Sequence, residues 1–132
     1  MTKPRFAAIA ALALGAAAAG PAAAVMPVTP QTFARLGQTI TVGGYAVTPR
    51  AVLEDSRCPP VVTCVWSGQV RMTVRVVALH GGERYIGEMT TMRPLQLRRG
   101  NLQILSVTPP NPANGRHVRP GDYRFGFRFT TR

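Results

Sequence analysis

Cys58 and Cys64 are the only cysteines in this 132-residue chain, and the residues around them hold most of its local chemistry. The segment runs Glu54-Asp55-Ser56-Arg57-Cys58-Pro59-Pro60-Val61-Val62-Thr63-Cys64-Val65-Trp66-Ser67-Gly68. A bridge across so short a loop gains about 2 kcal/mol by the chain-entropy argument, and less here because Pro59 and Pro60 already restrict the open chain. Its clearer effect is to fix the loop's shape. A redox-active pair usually has Cys-x-x-Cys spacing beside a helix start, and this spacing differs. Asp55 and Ser56 are turn-shaping residues, and Arg57 can pair with Glu54 or Asp55. Trp66 can cover the disulfide, and Gly68 suits a close approach or a bulge. Glu54, Asp55, Arg57 and Trp66 are thus a candidate recognition patch held by the bridge. The competing reading makes them a turn, a surface ion pair and a core tryptophan.

Arginine supplies the second candidate site. Arg71 and Arg75 fall on one face of a strand, and Arg124 and Arg128 on one face of another. Were those strands neighbours, four guanidiniums would line one sheet surface, able to grip phosphate or carboxylate bidentately. Charges on an outer strand face also discourage edge aggregation without any ligand. Arg116, His117 and Arg119 add charge elsewhere.

Other chemistry is poorly provided for. His80, His117, Met26, Met72, Met89 and Met92 are the residues a copper site would draw on. Met89 and Met92 are an odd number of positions apart, so in a strand they face opposite sides. Met72 belongs with the valines of a core face, and the histidines sit in a turn and a loop. No metal and no cofactor is expected. Two loop histidines and five acids make no recognisable hydrolytic triad, and Glu54 and Asp55, being adjacent, point to opposite faces if extended. Ser67 before Gly68 has no nucleophile-elbow context. The chain reads as a non-enzyme.

The motif Glu54-Asp55-Ser56-Arg57-Cys58-Pro59, followed by Cys64-Val65-Trp66-Ser67-Gly68, resembles that of an uncharacterised family of small exported bacterial proteins. Its pattern is E-D-S-R-C-P, a few residues, then C-x-W-x-G leading into a strand. The resemblance extends to a strand ending in Val-Thr-Pro-Pro and a final Asp-Tyr strand. It implies a common scaffold and names no activity.

The N-terminus sets the expected address. Met1-Thr-Lys-Pro-Arg5 is basic, Phe6 to Ala19 is apolar or small, and Pro21 precedes Ala22-Ala23-Ala24. These are the three parts of a secretory signal, with cleavage expected after Ala24. The apolar run is shorter than the roughly 20 residues needed to span a bilayer, so no membrane anchor is expected after cleavage. Residues 25–132 then form one domain in the periplasm or outside the cell. There an even cysteine count implies the Cys58–Cys64 disulfide. Without Lys3 and Arg5 the basic residues are fourteen, all arginine, against five acids, a net charge of about +9. Such a surface attracts anions. Export directs it away from nucleic acid and towards envelope proteins, anionic polymers or lipid headgroups.

The elements that must position these residues read as strands. Tyr123, Phe125, Phe127 and Phe129 alternate with arginine, glycine and threonine, and Val70, Met72, Val74 and Val76 alternate with polar residues, the period of half-buried strands. Gln38–Val42 and Tyr45–Glu54 form a hairpin about Gly43-Gly44, with Pro49 marking an edge or a bulge. Val70–Leu79 and Arg84–Met92 flank a tight turn, as do Leu95–Leu97 and Leu102–Thr108. About seven strands imply an all-β fold, a single antiparallel β-sandwich with immunoglobulin-like order, a small β-barrel being the alternative. Two connections, Asp55–Cys64 and Pro109–Pro120, are too irregular for ordinary turns, and loops of that kind tend to carry function. The combined expectation is an exported, non-enzymatic envelope domain that binds a protein or anionic partner. A metal-handling or stress-related accessory is the alternative.

Overall fold

A computed structural model describes residues 30–132, with Gly15 and Gly20. The expected signal helix, its cleavage site and Met26 lie outside the described residues. Eight strands occur among the described residues: β1 (Thr32–Ala34), β2 (Ile40–Val42), β3 (Tyr45–Asp55), β4 (Val70–Ala78), β5 (Arg84–Thr90), β6 (Leu95–Leu97), β7 (Gly100–Thr108) and β8 (Arg124–Thr131). The only helical element among the described residues is a 3-10 turn at Pro120–Asp122. None is a helix long and apolar enough to cross a membrane.

The strands form two four-stranded antiparallel sheets, ordered β1-β8-β7-β6 and β2-β3-β4-β5. This is a β-sandwich rather than a closed barrel. Every hydrogen-bonded pair joins strands consecutive in the chain, apart from β1 with β8. The order is therefore up-and-down, without the Greek-key crossover of the expected immunoglobulin-like connectivity. Short turns favour it: Gly43-Gly44 returns β2 into β3, and both glycines adopt positive φ, as tight hairpins require.

The two alternating segments find their burial in each other. Val70, Met72, Val74 and Val76 on β4 form one buried cluster with Phe125, Phe127 and Phe129 on β8 and Leu102 and Ile104 on β7. Two wholly apolar faces are removed from water by stacking sheets face to face. Strands β4 and β8 consequently belong to different sheets, and Arg71 and Arg75 point away from Arg124 and Arg128. The single surface of four guanidiniums does not form. Pro49 sits at a register shift in the β3–β4 ladder, between Pro49 and Ala51, so of the two expectations for it the bulge is what occurs. Strand β1, too short to show a period, pairs Thr32–Ala34 with Phe125–Phe127.

Candidate functional site

Both irregular connections leave the same end of the sandwich and are tied together there. Asp55 closes β3, and Arg57 folds back on it: Nε donates to Asp55 Oδ1 at 2.7 Å and Nη2 to Oδ2 at 2.7 Å. Arg57 Nη1 then donates to the Val107 carbonyl near the end of β7, at 2.7 Å. The Tyr123 hydroxyl, arriving just before β8, donates to Asp55 Oδ2 at 2.8 Å. From the long loop, Asn111 Nδ2 donates to the Arg57 carbonyl at 2.6 Å. One ion pair thus joins the two sheets and both loops. It is not the surface pair of the competing sequence reading, since the side chains are only 17% (Arg57) and 11% (Asp55) exposed.

Glu54 turns the other way, as adjacency in a strand requires. Its carboxylate accepts from the Ser56 hydroxyl at 2.9 Å and from Arg71 Nε at 3.3 Å on the outer face of the β2–β5 sheet. Arg71 also donates to Glu88 at 2.9 Å, so its charge is met from both neighbouring strands.

The electrostatics follow from these contacts. Burial works to raise the Asp55 pKa, but the hydrogen bonds from Arg57 and Tyr123 outweigh it and hold the carboxyl below its ordinary value of 3.8. Tyr123 is pushed up to about 12 by burial and by its hydrogen bond to Asp55. Glu54 lies below its usual range because Ser56 and Arg71 bond its ionised form.

The disulfide Cys58–Cys64 is formed, as expected of a chain that folds in an oxidising compartment. Its loop crosses a narrow neck, where Cys58 N–H donates to the Ser67 carbonyl at 3.0 Å and Ser56 N–H to the Gln69 carbonyl at 2.9 Å. Gly68 makes the neck possible. It has φ of +71°, and a side-chain carbon there would fall on the Ser56 carbonyl. Close approach is therefore its role.

Beyond the neck, the loop turns its side chains outward. Val61 is 77% exposed, Val62 50%, Val65 fully exposed and Trp66 54%. Trp66 is thus neither the core residue of the competing reading nor a buried cover for the bridge. Every residue from Pro60 to Ser67 is exposed, so the indole stands among solvent-facing neighbours and not in the core.

The remaining candidates are dispersed. Arg75, Arg124, Arg116, His80 and His117 are exposed, and Arg128 is half-buried, donating from Nη2 to Gln103 at 3.3 Å. Met72 and Met89 are core residues, while Met92 is 56% exposed in the turn after β5. Among the described residues no three of His, Cys, Asp and Glu gather as a metal site. A cleft of about 310 Å3 opens beside the Asp55–Tyr123 contact, lined by Leu53, His117, Val118 and Pro120 among others. Compared with known proteins, the chain matches no family model, no curated protein and no solved structure.

The site contains residues that the sequence left unmarked. Tyr123 read as a core aromatic, although a buried tyrosine needs a partner for its hydroxyl, and a carboxylate beside a loop was a candidate. Asn111 carried no signal of its own. Val61, Val62 and Val65 were detectable: from Cys58 to Val70 there is no charged residue, in a chain rich in arginine.

Proposed function

We propose that this chain is a non-enzymatic binding domain of the bacterial cell envelope, exported by its N-terminal segment, that engages its partner through the loop-bearing end of the sandwich. The observation that carries this reading is the bridged loop, which displays Trp66 and three valines to solvent from a base locked by Asp55, Arg57 and Tyr123. Exposed apolar groups on a rigid support are typical of contact surfaces. The disulfide and neck reduce the conformational entropy lost on binding. The disposition of the acids favours binding over catalysis. Glu54 and Glu88 are held by Arg71, Asp55 by Arg57, Glu83 by Tyr45 and Asp122 by Arg119. Each of the five carboxylates thus has a structural partner.

Photo-crosslinking in the native envelope tests the proposal, with a photoreactive residue at position 65 and, as control, at position 86 on the outer face of β5. The expected result is adducts with protein or anionic envelope material from position 65 and none from position 86. Absence of adducts from position 65 defeats the reading.

A second contact surface is supported by the outer face of the β1–β8–β7–β6 sheet. Arg124 is exposed there, Arg128 is half-buried beside Gln103 with no carboxylate on it, and the chain's carboxylates are all engaged elsewhere. An anionic polymer suits this face better than the opposite one, where Arg71 is already neutralised.

A further inference from the structure

We infer that the bridged loop is an interfacial wedge, which seats Val61, Val62, Val65 and Trp66 in the headgroup region of an anionic bilayer. The inference rests on the loop-bearing end being the contact surface, and it names what that surface contacts.

Two observations point to lipid. First, the tip carries no charge. The thirteen residues from Cys58 to Val70 are all neutral, and the outermost are branched aliphatics and the tryptophan. Tryptophan prefers the membrane–water interface, where its ring is buried and its N–H stays wet.

Second, the unpaired charge around the tip is of one sign. Arg35 follows β1 beside the start of β8, Arg93 follows β5, Arg116 lies in the long loop and Arg124 opens β8. All four are exposed at this end. Of the five acids, the three at this end are held by arginines, Glu54 by Arg71, Asp55 by Arg57 and Asp122 by Arg119. Glu88 is also held by Arg71, and Glu83 lies at the opposite end. The four arginines therefore have no carboxylate of the chain on them. A short apolar insertion combined with a basic surround is the two-signal arrangement that stabilises peripheral binding to anionic membranes.

Trp66 is the only tryptophan in the chain, so its emission reports on the tip alone. The test adds the purified chain to vesicles of phosphatidylglycerol with phosphatidylcholine, and in parallel to pure phosphatidylcholine. Sedimentation is measured together with Trp66 emission and its quenching by brominated lipid. The expected result is pelleting, a blue shift and quenching with the anionic vesicles, each weakened by salt. Val65→Asp should lower partitioning at least about tenfold, with the fold intact because Val65 is fully exposed. Arg116→Glu should lower it severalfold without altering the emission of the remaining bound protein.

Pelleting with unmoved emission would mean that the arginines hold the surface while the tip stays in water, which overturns the wedge. Equal pelleting of native protein and Val65→Asp would overturn it too. So would an absence of vesicle binding. In that last case protein adducts from position 65 in the envelope would leave the binding-domain reading standing and assign the tip to a protein. Absence of both would end both.

Discussion

Strand β3 has a buried tyrosine lock near each of its ends, and the two locks are built differently. At the short-turn end, Tyr45 donates to Glu83 Oε2 at 2.7 Å, and Glu83 also accepts from the Arg98 backbone N–H at 3.1 Å. Three tight connections meet there: Gly43-Gly44, the 79–83 turn and Arg98-Arg99. At the other end, Tyr123 donates to Asp55, which is also gripped by two nitrogens of Arg57. The first lock fastens hairpins whose geometry is already set by their turns. The second must order two long connections with little regular structure, and it adds a charge to do so. Arg57 reaches across to the β7 carbonyl, so the ion pair does the positioning that tight turns do elsewhere.

If this contrast is right, the loop end should depend on Asp55 far more than the turn end depends on any single group. Asp55→Asn leaves the Arg57 guanidinium largely buried without its counter-charge, a loss of about 3 kcal/mol. Urea unfolding of both proteins at neutral pH measures it. The acid limb supplies the sign. Because the folded Asp55 pKa lies below its ordinary value, the stabilisation is present above about pH 4 and is lost as pH falls through the folded pKa. The Asn variant should therefore lose less stability than the native chain on going from pH 5 to pH 2. An equal loss in both proteins would show that Asp55 is not the group that counts.

Next in size is the covalent half of the loop end. Replacing both cysteines, Cys58→Ser with Cys64→Ser, should cost about 1–2 kcal/mol. The prolines limit the loss, and the neck bonds from Cys58 and Ser56 survive in the backbone. Hydrogen exchange makes the comparison sharper: amides of the bridged segment should exchange faster while those near Tyr45 and Glu83 stay unchanged. A global rise in exchange would mean that the bridge supports the sandwich and not merely the shape of the loop.

How much of this could be read from residues alone differs between the two ends. The turn end is written locally. Gly43-Gly44, Gly81-Gly82 and the alternation of β4 and β8 each fix conformation over a few residues, and the predicted hairpins fall close to the observed ones. At the loop end, the short-range part was legible: Arg57 and Asp55 are two apart, and pairing them requires only a bent chain. The long-range part was not. Tyr123 is 68 residues from Asp55, and Val107 is 50 from Arg57. Such contacts depend on which sheet each strand joins, and a period of two says which face is buried without naming the neighbour. The same gap placed β4 beside β8 as an option and left β1 unseen. Trp66 shows the converse failure. Its type suggests a core, yet it stands 54% exposed beyond the bridged neck, and the charge-free run from Cys58 to Val70 suits burial as readily as exposure.

The smallest effects separate the two tyrosines themselves. Removing either hydroxyl, Tyr45→Phe or Tyr123→Phe, should cost about 1 kcal/mol at neutral pH. Neither deletion strands its carboxylate, because Glu83 keeps the Arg98 N–H and Asp55 keeps Arg57. The distinction lies in how pH moves them. A buried tyrosine whose folded pKa is raised contributes stability that is complete below its ordinary value of about 10 and is lost as pH rises through the folded pKa. For Tyr123 that window runs from about pH 10 to about 12. Tyr123→Phe should therefore remove part of the native chain's alkaline destabilisation over that range. It should also act at the acid end, where losing the Tyr123 hydrogen bond brings the folded Asp55 pKa closer to its ordinary value and so reduces the stability lost between pH 5 and pH 2. Tyr45→Phe should soften the alkaline limb, since burial and Glu83 raise its pKa as well, yet leave the acid loss attributable to Asp55 at its native size. Paired pH titrations of unfolding free energy measure both limbs. Identical acid behaviour in the two variants would mean that Arg57 alone sets the Asp55 charge, reducing the loop lock to a salt bridge with a tyrosine beside it.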